Sequence, residues 1–206
     1  MSSRMQLVGM LDSPYVRRAA ISMRLLNVSF DHQSVSVFRT FEQFTAINPV
    51  VKAPTLVCEE GSVLMDSTLI IDYAESVSGR SLMPTEPVAR RQALRVVGLG
   101  LAACEKAVQI VYERNLRPAE KQHQPWVDRV HGQLIAALTA LEAELARTPL
   151  SADERSMGQA GITTAVAWRF IQGKIAADVP AAAYPRLVAY SAAAEQLPVF
   201  KALPYA

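Results

Sequence analysis

Asn48-Pro49-Val50-Val51-Lys52-Ala53-Pro54-Thr55-Leu56-Val57 sets a proline at the mouth of a short apolar segment, Thr55 to Val57, that has the composition of a strand. Proline cannot donate to a sheet ladder, so it is confined to a strand's first residue or to an edge. A trans Ala53–Pro54 bond would simply open the strand. A cis bond would turn the chain sharply and leave the backbone N–H and C=O of Ala53 facing outward, free to pair with an extended peptide. Both isomers stay open at this level. Just beyond, Glu59-Glu60-Gly61 supplies a turn and Ser62 to Met65 a returning strand. After Asp66, Ser67 is placed to cap a helix running from Thr68 to about Val77 on Leu69, Ile70, Tyr73 and Ala74.

Upstream of this stretch, Gln6 to Met10 reads as a first strand. Asp12-Ser13-Pro14 follows with a capping side chain and a proline placed for the first helical position. The helix continues through Tyr15, Val16, Ala19, Ala20, Met23, Leu25 and Leu26, with Arg17, Arg18 and Arg24 between them, and Asn27 closes it. Phe30 to Val37 alternates as a second strand, and Phe38 to Ile47 is a weakly helical connection. The order is β-α-β-α-β-β-α. A parallel pair followed by an antiparallel hairpin makes a mixed sheet with helices on both faces.

Downstream, Gly79-Arg80-Ser81, Pro84 and Pro87 mark a linker. The composition then shifts to alanine, leucine, arginine and glutamate at helical spacing, with helices expected at about 87–116, 125–147, 157–174 and 185–195. The expected organisation is a first domain over 1–79, a linker over 80–86 and an all-helical domain over 87–206. Trp126 and Trp168 read as core anchors of that second domain.

A chain of 206 residues, 50% of them hydrophobic and 19% charged, can bury a real core and is not disordered. Its net charge of +2 comes from mixed signs without a basic block, so neither nucleic acid nor an anionic membrane is expected as a partner. No apolar run reaches the ~18 residues of a membrane span. Met1-Ser2-Ser3-Arg4-Met5 leads straight into the first strand without a signal-peptide core, so a cytoplasmic location is expected. Cys58 and Cys104 lack a metal or CxxC spacing and read as reduced, inert core thiols, and no metal is expected. His32, His123 and His131 are scattered, read as solvated, and make no hydrolase triad with Ser13.

With these elements in order, the whole chain resembles a cytosolic glutathione S-transferase: a thioredoxin-like βαβαββα domain, a proline-bearing linker and a helical bundle. Three segments carry the likeness: Ser13-Pro14-Tyr15-Val16-Arg17, Asn48 to Pro54, and Asp66-Ser67-Thr68-Leu69-Ile70-Ile71-Asp72-Tyr73. The resemblance implies glutathione as co-substrate and assigns the contacts. Ser13, beside a helix N-terminus, would stabilise the thiolate by a hydrogen bond. Ala53, held by Pro54, would pair its backbone with the cysteinyl part. Asp66 and Ser67 would take the γ-glutamyl end, and Lys52 the glycyl carboxylate. In each case the plain structural alternative is a helix cap or a surface lysine.

A small hydrophobic electrophile is expected in a pocket between the domains, with Leu11 and Tyr15 on one wall and Tyr112, Arg114 and Leu116 on the other. A homodimer active in detoxification is also implied. The rival reading is a non-catalytic binding or regulatory protein of the same fold, such as an RNA-polymerase-associated relative. Two departures from the family pattern stand out. Val51 occupies a position often held by glycine. Gly158 and Gly161 replace the capping box of a later helix, which should weaken its start by about 1 kcal/mol. Serine at position 13, in place of cysteine, disfavours mixed-disulfide chemistry.

Overall fold

Strand β1 (Gln6–Val8) lies at the centre of the first unit, with β2 (Asp31–Gln33) parallel on one side and β3 (Thr55–Val57) antiparallel on the other. Strand β4 (Val63–Met65) pairs antiparallel with β3 and completes a four-stranded sheet in the order β2-β1-β3-β4. This computed structural model describes residues 4–206, so the expectation drawn from Met1-Ser2-Ser3 lies outside the described residues. The strands are shorter than the sequence pattern suggests. Val35 and Val37 alternate, as a strand should, but only Asp31–Gln33 pairs. Ser36 turns the chain instead, its hydroxyl accepting the N–H groups of Phe38 and Arg39.

Helix α1 (Pro14–Leu25) starts on the Ser13 cap, and Asn27 leaves it at φ +59°, a conformation asparagine tolerates. Helix α2 (Phe41–Ile47) packs the fully buried Phe44 against Val8 and Val35. Period-2 alternation turns Leu7 and Leu56 to the opposite face, beneath α1 and α3 (Ser67–Ser78), which pack together. Helices therefore cover both faces, as expected.

The second unit, Met83–Gln196, is built from α4 (Pro87–Leu116), α5 (Gln124–Arg147), α6 (Gln159–Ile175) and α7 (Pro185–Ala194). Glu86 caps α4 by accepting the N–H groups of Val88 and Ala89, so Pro87 belongs to the helix as its first residue. The chain then departs from the expected organisation. Leu197–Ala206, including the short α8 (Pro198–Ala202), clusters with the first unit and not with the helical one. The cause is Arg17, 1% exposed, whose Nε donates to the Leu203 carbonyl at 2.8 Å while its guanidinium lies 5.3 Å from the centre of the Phe200 ring. A buried guanidinium needs acceptors, and these two turns of chain supply them.

Other expectations also change. Trp126 is 42% exposed, whereas Trp168 is buried edge-on to Tyr184. His32 and His131 are half-buried and bonded to the carbonyls of Gly9 and Asp178. The N-cap of α6, Gly158, contributes no side-chain bond. The space where a side chain at Gly161 would stand is filled by the Tyr190 hydroxyl, so a Cβ there would collide with it. Gly161 thus makes room for the packing of α7 on α6. Burial also pushes the Tyr190 phenol far above its ordinary pKa, keeping it neutral.

Two carboxylates pin the bundle. Glu144, 1% exposed, accepts from Arg95 and Gln92 at 2.6 Å each and from Arg147. Asp178 takes both Nη groups of Arg114 at 2.6 and 2.7 Å. Both are held below the usual carboxylate range, Glu144 chiefly by the Arg95 bond and Asp178 chiefly by the Arg114 bond. A depressed folded-state pKa gives stability that is complete above the unfolded value and is lost as pH falls through the folded one. Stability should therefore drop as pH falls below about 4. Glu144→Gln should cost about 2 kcal/mol at pH 7 and flatten that acid limb. Denaturant midpoints measured against pH test this; an unchanged limb would remove Glu144 from it.

Candidate functional site

Val8, Thr55 and Met65 lie opposite one another across three strands, β1 to β3 to β4. One residue beyond this row, after Val8 and Met65 but before Thr55, stand Gly9, Asp66 and Pro54, so all three lie at the same end of the sheet. That register brings the end of the segment from Asn48 to Pro54 beside the start of the segment from Asp66 to Tyr73. Gly9 sits at φ +139°, and a Cβ there would stand 2.6 Å from Val16 Cγ2 and 3.3 Å from Ala53 Cβ. Only glycine lets the first turn of α1 and the loop before Pro54 close over the end of β1.

The loop is held from below by a buried polar network. Asn48, 2% exposed, donates from Nδ2 to Thr55 Oγ1 at 2.9 Å, and its Oδ1 accepts the Val50 N–H at 3.0 Å. Thr55 Oγ1 in turn donates to the Lys52 carbonyl at 2.7 Å. These bonds fix the path of 50–53, and Asn48 Nδ2 also reaches Met65 Sδ on β4 at 3.9 Å. The Ala53–Pro54 bond is cis.

Ser13 is the N-cap of α1, its Oγ accepting the Val16 N–H at 3.4 Å. This cap role leaves the hydroxyl proton available for a second partner, because a hydroxyl accepts and donates at once. Asp66 caps α3 by accepting the Thr68 N–H at 2.9 Å, with its backbone at φ +73°. Lys52 Nζ lies 3.7 Å from Asp66 Oδ2, both side chains about half exposed, so in this state the lysine faces the acidic cap. Ser67, expected as the cap, is instead buried at the first position of α3, because Asp66 supplies the capping oxygen.

Of the remaining residues singled out in the sequence, Leu11 is buried and Tyr15 half-buried, both at the start of α1 in the first unit. Tyr112 and Leu116 are exposed near the end of α4 in the second unit, and Arg114 is committed to Asp178. Sequence reasoning missed the supporting residues: Asn48 and Thr55 under the loop, and Arg18 behind α3. Three positive-φ non-glycine residues occur among the described residues, and two of them, Val51 and Asp66, flank this end of the sheet. Strained backbone held by its surroundings is a recurrent mark of ligand clamps.

Val51, at φ +53°, keeps the left-handed turn that glycine would take freely, while its side chain packs on Val8, Val35 and Phe44. Val51→Ala removes the packing and keeps the strain; Val51→Gly removes both. The glycine variant should therefore be about 1 kcal/mol more stable than the alanine variant, the reverse of the order at ordinary positions. Chemical denaturation of the two proteins checks this. An alanine variant as stable as the glycine one would contradict it.

Residues 7–81 match the family model for the glutathione S-transferase N-terminal domain. Over 165 residues the chain is 26% identical to the uncharacterized GST-like protein YibF of Escherichia coli (strain K12), covering 80% of this chain and 81% of that one. A glutathione transferase family member from Pseudomonas fluorescens Pf-5, solved with bound glutathione, superimposes with a TM-score of 0.79 at 26% identity, covering 97% of this chain and 98% of that one. A glutathione S-transferase of Methylobacterium radiotolerans JCM 2831, solved with glutathione sulfonate, gives a TM-score of 0.87 at 21% identity over 99% of this chain and 96% of that one, a likeness of fold.

Proposed function

We propose that the chain is a glutathione S-transferase, binding glutathione along this end of the sheet of the first unit and transferring the thiolate to a small hydrophobic electrophile. The match of residues 7–81 to that family's N-terminal domain and the glutathione-bound relative support this. The observation that carries the reading is the row Val8–Thr55–Met65, beyond which Gly9, Pro54 and Asp66 meet at one end of the sheet. Glutathione is an extended peptide with an ammonium and a carboxylate at one end, a thiol at its centre and a second carboxylate at the other end. The backbone of Ala53 pairs with the cysteinyl unit. The carboxylate of Asp66 takes the ammonium, and Ser67 with the N-terminus of α3 takes the neighbouring carboxylate. Lys52 exchanges Asp66 for the glycyl carboxylate when the peptide arrives. The bound glutathione in the Pseudomonas fluorescens relative supports the choice of ligand.

Chemistry begins with the thiol proton leaving to solvent. The Ser13 hydroxyl then donates to the sulfur anion, and the dipole of α1 adds to it. The thiolate attacks the electrophile: a C–S bond forms, and the displaced group leaves with its electron pair or the attacked double bond takes the charge. Serine holds the anion and forms no covalent bond itself. A cytoplasmic homodimer acting in detoxification is the setting that the family suggests.

Calorimetric titration should give saturable glutathione binding at millimolar concentration or below; no heat would remove the proposal. In the bound state, Ser13→Ala should raise the thiol pKa by about one unit, roughly 1.4 kcal/mol of lost thiolate stabilisation. The ultraviolet thiolate absorbance and the rate–pH profile should both move to higher pH. Superimposable curves for the two proteins would take Ser13 out of the mechanism.

A further inference from the structure

The end of β2 grips the loop that leads to Ser13. Gly9 follows the last residue of β1, and its N–H donates to the Gln33 carbonyl at 3.0 Å, continuing the parallel pairing of the two strands. Its carbonyl lies 2.7 Å from His32 Nε2. A carbonyl only accepts, so this ring nitrogen carries a proton and donates. One residue on, Met10 Sδ accepts from Ser34 Oγ at 3.1 Å, and the Met10 carbonyl accepts the Ser13 N–H at 3.1 Å. We propose that His32 is a positioning residue for the Ser13 hydroxyl, acting through the Gly9 carbonyl; this rests on the glutathione reading above.

Glycine has the widest choice of φ and ψ, so a loop that begins on one needs its direction set from outside. At Gly9, which stands at φ +139°, the bond to Gln33 fixes the N–H and leaves ψ as the free rotation. The direction of the carbonyl is the direction of ψ, and His32 holds it. Rotation there would swing Met10 to Ser13 together, because that turn is closed by its own hydrogen bond, and Ser13 lies at its far end. A displacement of about 1 Å at a group that meets the reacting atom removes a large part of its effect. The register places His32 opposite Leu7, two residues before Gly9, within reach of that carbonyl along the strand. A ring that merely satisfied a half-buried carbonyl would stabilise the fold with no dependence on Ser13.

The test follows the ultraviolet thiolate absorbance of glutathione bound to the full chain as pH is raised. His32→Phe keeps a ring and loses the donor. It should move the thiol titration to higher pH by about half a unit and leave the glutathione dissociation constant within twofold. His32→Gln keeps an N–H donor without a titrating charge, and should bring the titration back to that of the unaltered protein. In a Ser13→Ala background, His32→Phe should cause no further shift, since the two act through one hydroxyl. An unmoved titration in His32→Phe, or a glutamine variant as impaired as the phenylalanine one, overturns the proposal. So does the same shift in the absence of Ser13, or a loss of affinity without a shift, either of which leaves His32 a structural support. If His32→Phe fails to fold, His32→Met takes its place. The imidazole nitrogen NMR spectrum of the unaltered protein must also show the proton on Nε2 at about pH 8; the Nδ1–H tautomer overturns the proposal. Failure of the unaltered protein to bind glutathione is a separate result, and it would remove the glutathione reading and this role together.

Discussion

The register of three strands is the constraint from which the site follows. With Val8, Thr55 and Met65 aligned, the chain must leave the sheet at Gly9, enter it at Pro54 and leave it again at Asp66, all at one end. A one-residue slip would turn Leu7, Leu56 and Val8 to the wrong faces and separate these exits, so the core that fixes the register also fixes the site. The apolar rows do the specifying. Leu7 and Leu56 lie beneath α1 and α3, and Val8 meets Phe44 on the other side.

Polar groups then set the details that hydrophobic burial leaves free. Asn48 and Thr55 define the path of the loop, and each bond they make fills a need that burial would otherwise leave costly. Two neighbouring arginines on α1 divide the remaining work. Arg17 holds the returning C-terminal segment, and Arg18 holds the start of α3. Both are buried cations tied to carbonyl or hydroxyl oxygens, so α1 links the three parts of the first unit. The second unit is held by different chemistry, carboxylates Glu144 and Asp178 gathering arginines between helices.

Much of this was legible in the sequence because it rests on local signals. Ser13-Pro14 and Asp66-Ser67 are capping patterns, and Pro54 before an apolar run marks a strand start, so these elements could be placed from the residues alone, whereas the ligand contacts came only from the resemblance to the family. The long helix over 87–116 was equally plain, since proline and glutamate mark its start and its period is sustained. What could not be read were properties of tertiary partners. Arg17 and Arg18 sit in a helical pattern as if solvated, and nothing local shows that Leu203 or Ser67 will meet them. Trp126 looks like a core residue by type and is not one by position. Gly161 reads as a lost cap, but it is room for Tyr190, contributed by the next helix, α7.

The claim that a glutathione molecule lies across this end of the sheet is tested most directly by backbone amide NMR of isotopically labelled protein during a glutathione titration. The account predicts saturable shifts concentrated at Ser13, Ala53, Asp66, Ser67 and Thr68, with a common apparent dissociation constant. Amides at these positions that stay fixed at millimolar glutathione, while others move or none do, would contradict it.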